Sequence, residues 1–176
     1  MIFHRLASIH RNQKGFTLVE VIMAITITSL IGGGIVAGIF QILNVNALNI
    51  TNMTAVKQIE NAGHWISRDG QMAETVTLSG DEDGFPLKLS WTDWDGTANV
   101  VTYTIAGGEL RRSHSENGLE ISQNLVAQYI NSDPIKTNAT VSGTRLIVTI
   151  TATVNDGSQI ASKTRVCEVT PRPSLE

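Results

Sequence analysis

The chain has a single cysteine, Cys167, among 176 residues, so no intrachain disulfide can form. Whatever folds here is held by packing, by partners or by a metal, and not by a covalent staple. Proline is scarce too: there are four, and the first is Pro86. Nothing in the preceding stretch therefore breaks a helix by deleting a backbone donor. Charge is missing from a long internal segment, with no charged residue between Glu20 and Lys57. Cations are outnumbered, 13 Lys and Arg against 16 Asp and Glu, for a formal net charge of −3. That balance gives no support to nucleic-acid binding as a main role. No His-Glu-x-x-His, Gly-x-Ser-x-Gly or Cys-x-x-Cys pattern occurs, and His64 and His114 lie far apart. The usual sequence grounds for a zinc peptidase, a serine hydrolase or a dithiol redox enzyme are thus absent. There is no internal repeat and no low-complexity tract.

What is present is concentrated near the start. A basic leader containing Arg5, Arg11 and Lys14 ends at Gly15, and an apolar run extends from Phe16 to Phe40. About 20 apolar residues are enough to cross a bilayer. The cations in front of the run favour a cytoplasmic N-terminus, with the remainder exported. An ordinary secretory signal carries its cleavage site after the apolar core. Here the only good cleavage signature lies before it, so the membrane helix is expected to stay in the mature chain. Glu20 stands within the apolar run. A carboxylate at the centre of a membrane helix costs roughly 2.5–3.5 kcal/mol. Near one end the cost is lower, but Glu20 still calls for a partner.

The order Lys14, Gly15, Phe16, Thr17, Leu18, Val19, Glu20, followed by an uncharged apolar helix, resembles the N-terminus of the type IV prepilin superfamily, which includes pilins and the pseudopilins of type II secretion. The resemblance implies cleavage between Gly15 and Phe16 by a prepilin peptidase and N-methylation of Phe16. It also implies that in a filament Glu20 meets the Phe16 amine of a neighbouring subunit. Loss of three leader cations would move the formal net charge from −3 to −6. Many pilins carry a C-terminal disulfide loop, and the lone Cys167 departs from that pattern. The expected division is a leader at 1–15, a transmembrane and filament-core helix at 16–43, and an exported head at 44–176.

Beyond the apolar run, Val45, Leu48, Val56, Ile59, Ala62, Ile66 and then Ala73 to Val76 recur at helical spacing. The pattern predicts one helix from Phe16 to about Glu74, roughly 90 Å long at 1.5 Å per residue. Gly32, Gly33 and Gly34 weaken it by about 1 kcal/mol each relative to alanine. They would serve either a bend during assembly or close helix packing in the membrane. After Gly80 the period becomes two. Strands are expected at Phe85–Trp91, Val100–Ile105, Glu109–His114, Leu119–Ile130, Arg145–Val154 and Gln159–Val169, with an irregular tail at Pro171-Arg172-Pro173. The fold class is α+β: a long helix whose amphipathic half covers one antiparallel sheet of four to six strands. Leu146, Val148 and Ile150 are expected to face Val56, Ile59 and Ile66.

Two further stretches resemble the J-type minor pseudopilins of type II secretion or their pilus counterparts. One is Trp65-Ile66-Ser67-Arg68-Asp69 with Ala73. The other is Val101-Thr102-Tyr103-Thr104-Ile105, with Gly107-Gly108 and Leu110-Arg111-Arg112. The acidic loops Asp81-Glu82-Asp83-Gly84 and Asp93, Asp95, Gly96 could offer oxygen to calcium but lack the EF-hand spacing. They are read as solvated turns, and neither a metal nor a cofactor is expected. Trp91 and Trp94 are open between burial and an exposed recognition patch. The functional expectation is a structural, non-enzymatic subunit, a minor pilin or pseudopilin of a type IV pilus or type II secretion filament. Its partners would be prepilin peptidase, other pilin or pseudopilin subunits, the inner-membrane assembly platform and, before assembly, membrane lipid. Its place would be the inner membrane, single-pass, and then the filament. The alternative is a signal-anchored exported enzyme or binding protein that does not assemble.

Overall fold

The computed structural model describes residues 15–79, 84–157 and 159–173. The leader up to Lys14 and the acidic residues Asp81, Glu82 and Asp83 lie outside the described residues. One helix, α1, runs over Leu18–Met72. The chain divides into two compact units between Asn44 and Val45.

In the first unit every described residue is exposed, and the helix passes through Gly32, Gly33 and Gly34 without interruption. A methyl group added at any of these three glycines would meet nothing within 4 Å. The helix here is apolar on all sides, which is the pattern of a segment solvated by lipid or by other helices.

The second unit is α+β. The buried residues of its helical part are Thr51, Ala55, Ile59, Ala62, Gly63, Ile66, Asp69 and Gly70. Steps of three and four put them on one stripe. Val45 and Leu48, expected on the buried face, are exposed, and Val56 is only half-buried. The stripe starts at Thr51, and its neighbours are smaller than the apolar spacing suggested. Gly63 and Gly70 explain why. A Cβ at Gly63 would lie 2.9 Å from Cys167 Sγ, and one at Gly70 would lie 2.9 Å from Val169 Cγ1. Side chains are left out where the last strand passes close to the helix.

Eight strands follow among the described residues: β1 Thr75–Leu78, β2 Leu87–Thr92, β3 Ala98–Ala106, β4 Glu109–Glu116, β5 Leu119–Ala127, β6 Asn138–Ser142, β7 Arg145–Asp156 and β8 Gln159–Val169. They form two antiparallel meanders, a five-stranded sheet β1-β2-β3-β4-β5 and a three-stranded sheet β6-β7-β8. The single expected sheet is therefore two. Two strands are additions. β1 takes Thr75 and Val76 out of the expected helical stripe, because Glu74 N–H donates to Ser90 O at 2.8 Å and starts a ladder. β6 is short and polar, and is held by pairing with β7 from Asn138↔Thr149 to Ser142↔Arg145. The expected strand Leu119–Ile130 stops at Ala127, and its pairing with β4 shifts register twice.

The segment after β5 stitches the sheets together. Ile130 N–H donates to Gly108 O, Asn131 N–H to Thr151 O, and Thr153 N–H to Tyr129 O, at 2.7–2.8 Å. Gly84 supplies a second close approach: at φ 69°, an added Cβ would collide with the Ala139 carbonyl of β6. The irregular tail caps the helix. Arg172 donates its backbone N–H to Ala73 O (2.8 Å) and its Nε to Met72 O (3.1 Å). A cation is thereby supplied to a helix end that has no basic residue in its own last turn. Leu146, Val148 and Ile150 join Ile59 and Ile66 in one buried cluster, with Leu87, Leu89, Val101 and Tyr103 from the other sheet.

Val148→Asp is expected to unfold this unit, because an unpaired buried charge costs several kcal/mol. Gly70→Val is expected to destabilise it by about 1–3 kcal/mol through overpacking, although valine is the better helix former. Thermal unfolding checks both; an unchanged midpoint for either would show that β7 or β8 does not pack against this stripe.

Candidate functional site

The first site is the start of α1. Gly15, Phe16 and Thr17 precede the helix in irregular backbone, and Phe16 is 85% exposed. Thr17 and Glu20 form a reciprocal cap. Glu20 N–H donates to Thr17 Oγ1 (3.3 Å), while Thr17 N–H donates to Glu20 Oε2 (3.2 Å). The Thr17 hydroxyl also donates to Glu20 Oε2 at 3.2 Å. Two orphan backbone donors are satisfied by one side chain each, the capping-box arrangement. The Thr-x-x-Glu spacing ahead of an apolar run is the sequence signal for this cap. The cap leaves the Gly15–Phe16 peptide outside the helix and open to solvent. α1 is also the one described helix long and apolar enough to cross a membrane.

The second site is a buried charge centre in the head. Asp69, 2% exposed, reaches from the helix toward β3 and β4. Its Oδ2 accepts from Tyr103 Oη and from Arg112 Nε, both at 2.6 Å, and its Oδ1 accepts from Arg112 at 3.2 Å. The Arg112 guanidinium also lies 5.1 Å from the Trp65 ring centroid. Burial works against the charge on Arg112, but the hydrogen bond and attraction from Asp69 outweigh it, and its pKa is raised. Burial and the negative Asp69 hold the proton on Tyr103 well beyond the ordinary phenol range. A buried carboxylate that accepts three hydrogen bonds, from a two-pronged arginine and a phenol, is committed to its neighbours. Chemically it is a fastener. It joins the stretch Trp65–Asp69 on the helix to the stretch Val101–Arg112 on β3 and β4.

A smaller polar chain runs along β2, β3 and β4. Trp91 Nε1 donates to Asp93 Oδ1 (3.2 Å), Asn99 Nδ2 donates to Asp93 Oδ2 (2.8 Å), and His114 Nε2 lies 2.8 Å from Asn99 Oδ1. With the amide nitrogen of Asn99 already donating, its oxygen accepts and His114 Nε2 carries the proton. Trp91 and His114 rings stack with centroids 5.9 Å apart. Asp93 is thus consumed by its neighbours, and Asp95 accepts from Thr97 N–H at 3.0 Å. His64 is exposed and Cys167 is buried. Among the described residues no group of three His, Cys, Asp or Glu converges on one point. The two tryptophans divide: Trp91 is buried and Trp94 is 99% exposed.

The family model of the prokaryotic N-terminal methylation motif matches residues 10–36, a span that contains Gly15, Phe16 and Glu20. The chain is type IV prepilin-like. Nothing among curated proteins or solved structures matches it significantly. The motif implies processing by prepilin peptidase and assembly with other pilins, and it points to a structural subunit rather than an enzyme. Together with the apolar helix behind it, the motif fits a membrane-anchored, single-pass protein.

The charge centre gives two tests of stability. Asp69→Ala leaves Arg112 buried and unpaired and is expected to cost about 3–5 kcal/mol, whereas Asp69→Leu combined with Arg112→Met is expected to be much milder. Denaturant titration distinguishes these; equal losses would mean that the ion pair is not the fastener. The second test is alkaline. A phenol whose folded pKa is raised contributes stability that is intact below about pH 10, the unfolded value, and is lost as pH rises above it. Wild type is expected to lose up to about 1.4 kcal/mol per pH unit more than Tyr103→Phe above pH 10. Parallel stability curves for the two would contradict this.

Proposed function

We propose that this prepilin-like chain is a non-catalytic filament subunit, a pilin or pseudopilin, whose N-terminal helix packs among those of its neighbours. The observation that carries the reading is the methylation motif at residues 10–36, which runs into a helix whose apolar residues are exposed on every side. A surface of this kind is stable in lipid or against other helices and not in water. The division proposed is a leader at 1–15, a membrane and filament-core helix at 16–43 and an exported head at 44–176. The cut falls between Gly15 and Phe16, and the new amine at Phe16 is methylated. Before assembly the N-terminus faces the cytoplasm and lipid covers the helix; the inner-membrane platform then draws the subunit into the filament. Both a type IV pilus and a type II secretion filament use this chemistry.

Glu20 has a specific part in the proposal. In the isolated chain its carboxylate caps Thr17. In the filament it pairs with the Phe16 amine of a neighbour, in surroundings where an unpaired charge is costly. Glutamine and alanine separate the two roles, because glutamine can also close a capping box but carries no charge. Glu20→Gln and Glu20→Ala are both expected to leave the head folded and to reduce recovery in sheared filaments at equal membrane abundance. Wild-type recovery for Glu20→Gln would mean that the carboxylate only caps. Wild-type recovery for both would mean that Glu20 is not needed for incorporation, whereas absence of the wild-type chain itself from the filaments would favour the passive anchor.

Processing is tested separately by the intact mass of the membrane-extracted chain in cells with active peptidase. The expected product begins at N-methylated Phe16, and replacing Gly15 by a bulky residue is expected to block its formation. A product that retains residues 1–15 would overturn this part of the proposal.

A further inference from the structure

The head carries two exposed apolar surfaces with opposite charge at their rims. The first is a tip. The β2–β3 turn contains Trp94, 99% exposed, followed by the exposed Asp95. The β4–β5 turn adjoins it: Ala98 N–H donates to Asn117 Oδ1 (3.1 Å), and Asn117 N–H donates to Ala98 O (2.8 Å). Just beyond that turn are Leu119, 74% exposed, and Glu120, with Glu116 before it. An indole standing free in water, with a second exposed apolar residue just past the adjoining turn, points to a surface that takes a partner.

The second surface is a groove of about 550 Å³ along the helix, lined by Ile50, Met53, Val56, Lys57, Glu60 and Lys163 among others. Its lining is apolar with a basic rim. Ile50 and Met53 are largely exposed. Arg165, two residues after Lys163 on β8, lines the adjoining cleft with Glu60, His64 and Arg68. Among the described residues, Lys57, Lys163 and Arg165 have no ion-pair partner.

The two surfaces belong to opposite ends of the head. Thr92 N–H donates to Glu74 just past the end of the helix, which places the β2–β3 turn there. The groove begins at Ile50, and Val56 to Met72 alone spans about 24 Å of helix. An acidic apolar tip at one end and a basic apolar groove at the other is the layout of a heterologous contact, which repeats along a line instead of closing on itself.

We propose that the Trp94 tip of one head docks in the Met53–Lys163 groove of a second copy of this chain. The inference rests on the filament reading above and adds to it the surface through which heads stack. The indole fills the apolar floor, and Asp95, Glu116 and Glu120 face Lys57, Lys163 and Arg165. Both members of the pair are present on one chain, which is why the occupant is a second copy. Complementary rims of this kind fix register and exclude the inverted arrangement.

The test uses the full-length chain in cells. Cysteines are placed at both surfaces, Asp95→Cys with Lys163→Cys, in a Cys167→Ala background, and sheared filaments are treated with a short bismaleimide. A ladder of regular steps is expected for the pair and none for either cysteine alone. Lys57→Glu added to the pair is expected to lower ladder yield about tenfold, and a further Glu116→Lys to restore it. No ladder in filaments that contain the chain overturns the proposal and leaves the filament reading standing. Bands that stop at a dimer mean an isologous contact and overturn it too. Bands only at the mass of another subunit put a different protein in the groove and overturn the second-copy assignment. A chain missing from the filaments altogether removes the filament reading itself.

Discussion

The exposed apolar surface of α1 needs a cover that the chain does not supply. From Gly15 to Asn46 every residue is exposed, and Ile22, Ile25, Ile31, Ile35, Ile39 and Phe40 each leave more than half of their surface open. Fully burying one such side chain stabilises by about 1.5–3 kcal/mol. For these six side chains together that is roughly 9–18 kcal/mol. The absence of charge from Val21 to Val56 and of proline before Pro86 is what permits so long a continuous apolar cylinder. The same surface makes Glu20 conspicuous. Its cap on Thr17 is a good arrangement for a lone helix, and it leaves a carboxylate at the edge of an apolar column.

The head meets a different demand, that of fastening one helix to two sheets without a disulfide. Gly63 and Gly70 let β8 come close, and the backbone stitch at Tyr129–Asn131 binds β7 to the β3–β4 turn. Asp69 ties the helix to β3 and β4 through Tyr103 and Arg112. Such a buried ion pair gives little net stability against an apolar replacement, but breaking one side of it is costly. Its geometric demands fix the rotation of the helix over the sheet. The Arg172 tail then closes the C-terminal end of the same helix.

The long helix was legible because three independent signals agree over it: apolar content, missing proline, and spacing of three and four. Strands β3, β4, β7 and β8 were legible from alternation and from Gly107-Gly108 and Asn155-Asp156-Gly157. β1 and β6 were not. Thr75-Val76-Thr77-Leu78 follows a helix without a breaker, and only its pairing with β2 decides its state. Asn138 to Ser142 is short and polar, and β7 supplies the reason it is extended. The join between the two sheets rests on Ile130 bridging Ala152, a contact with no sequence periodicity behind it. Asp69, Tyr103 and Arg112 were noticed as parts of two patterns, but a single sequence does not say that a charge on a helix meets one on a strand 43 residues later. The glycines of the head were similarly silent, since an empty position is informative only once its neighbour is known.

The claim that the helix is covered by its neighbours is tested most directly by following where the chain goes and how it begins. Cell envelopes are separated into membrane and sheared-filament fractions, and the N-terminal peptide of the chain is measured by mass spectrometry in each. The account predicts the chain in the filament fraction, beginning with N-methylated Phe16. A chain confined to the membrane fraction, in cells that shed filaments normally, would contradict it.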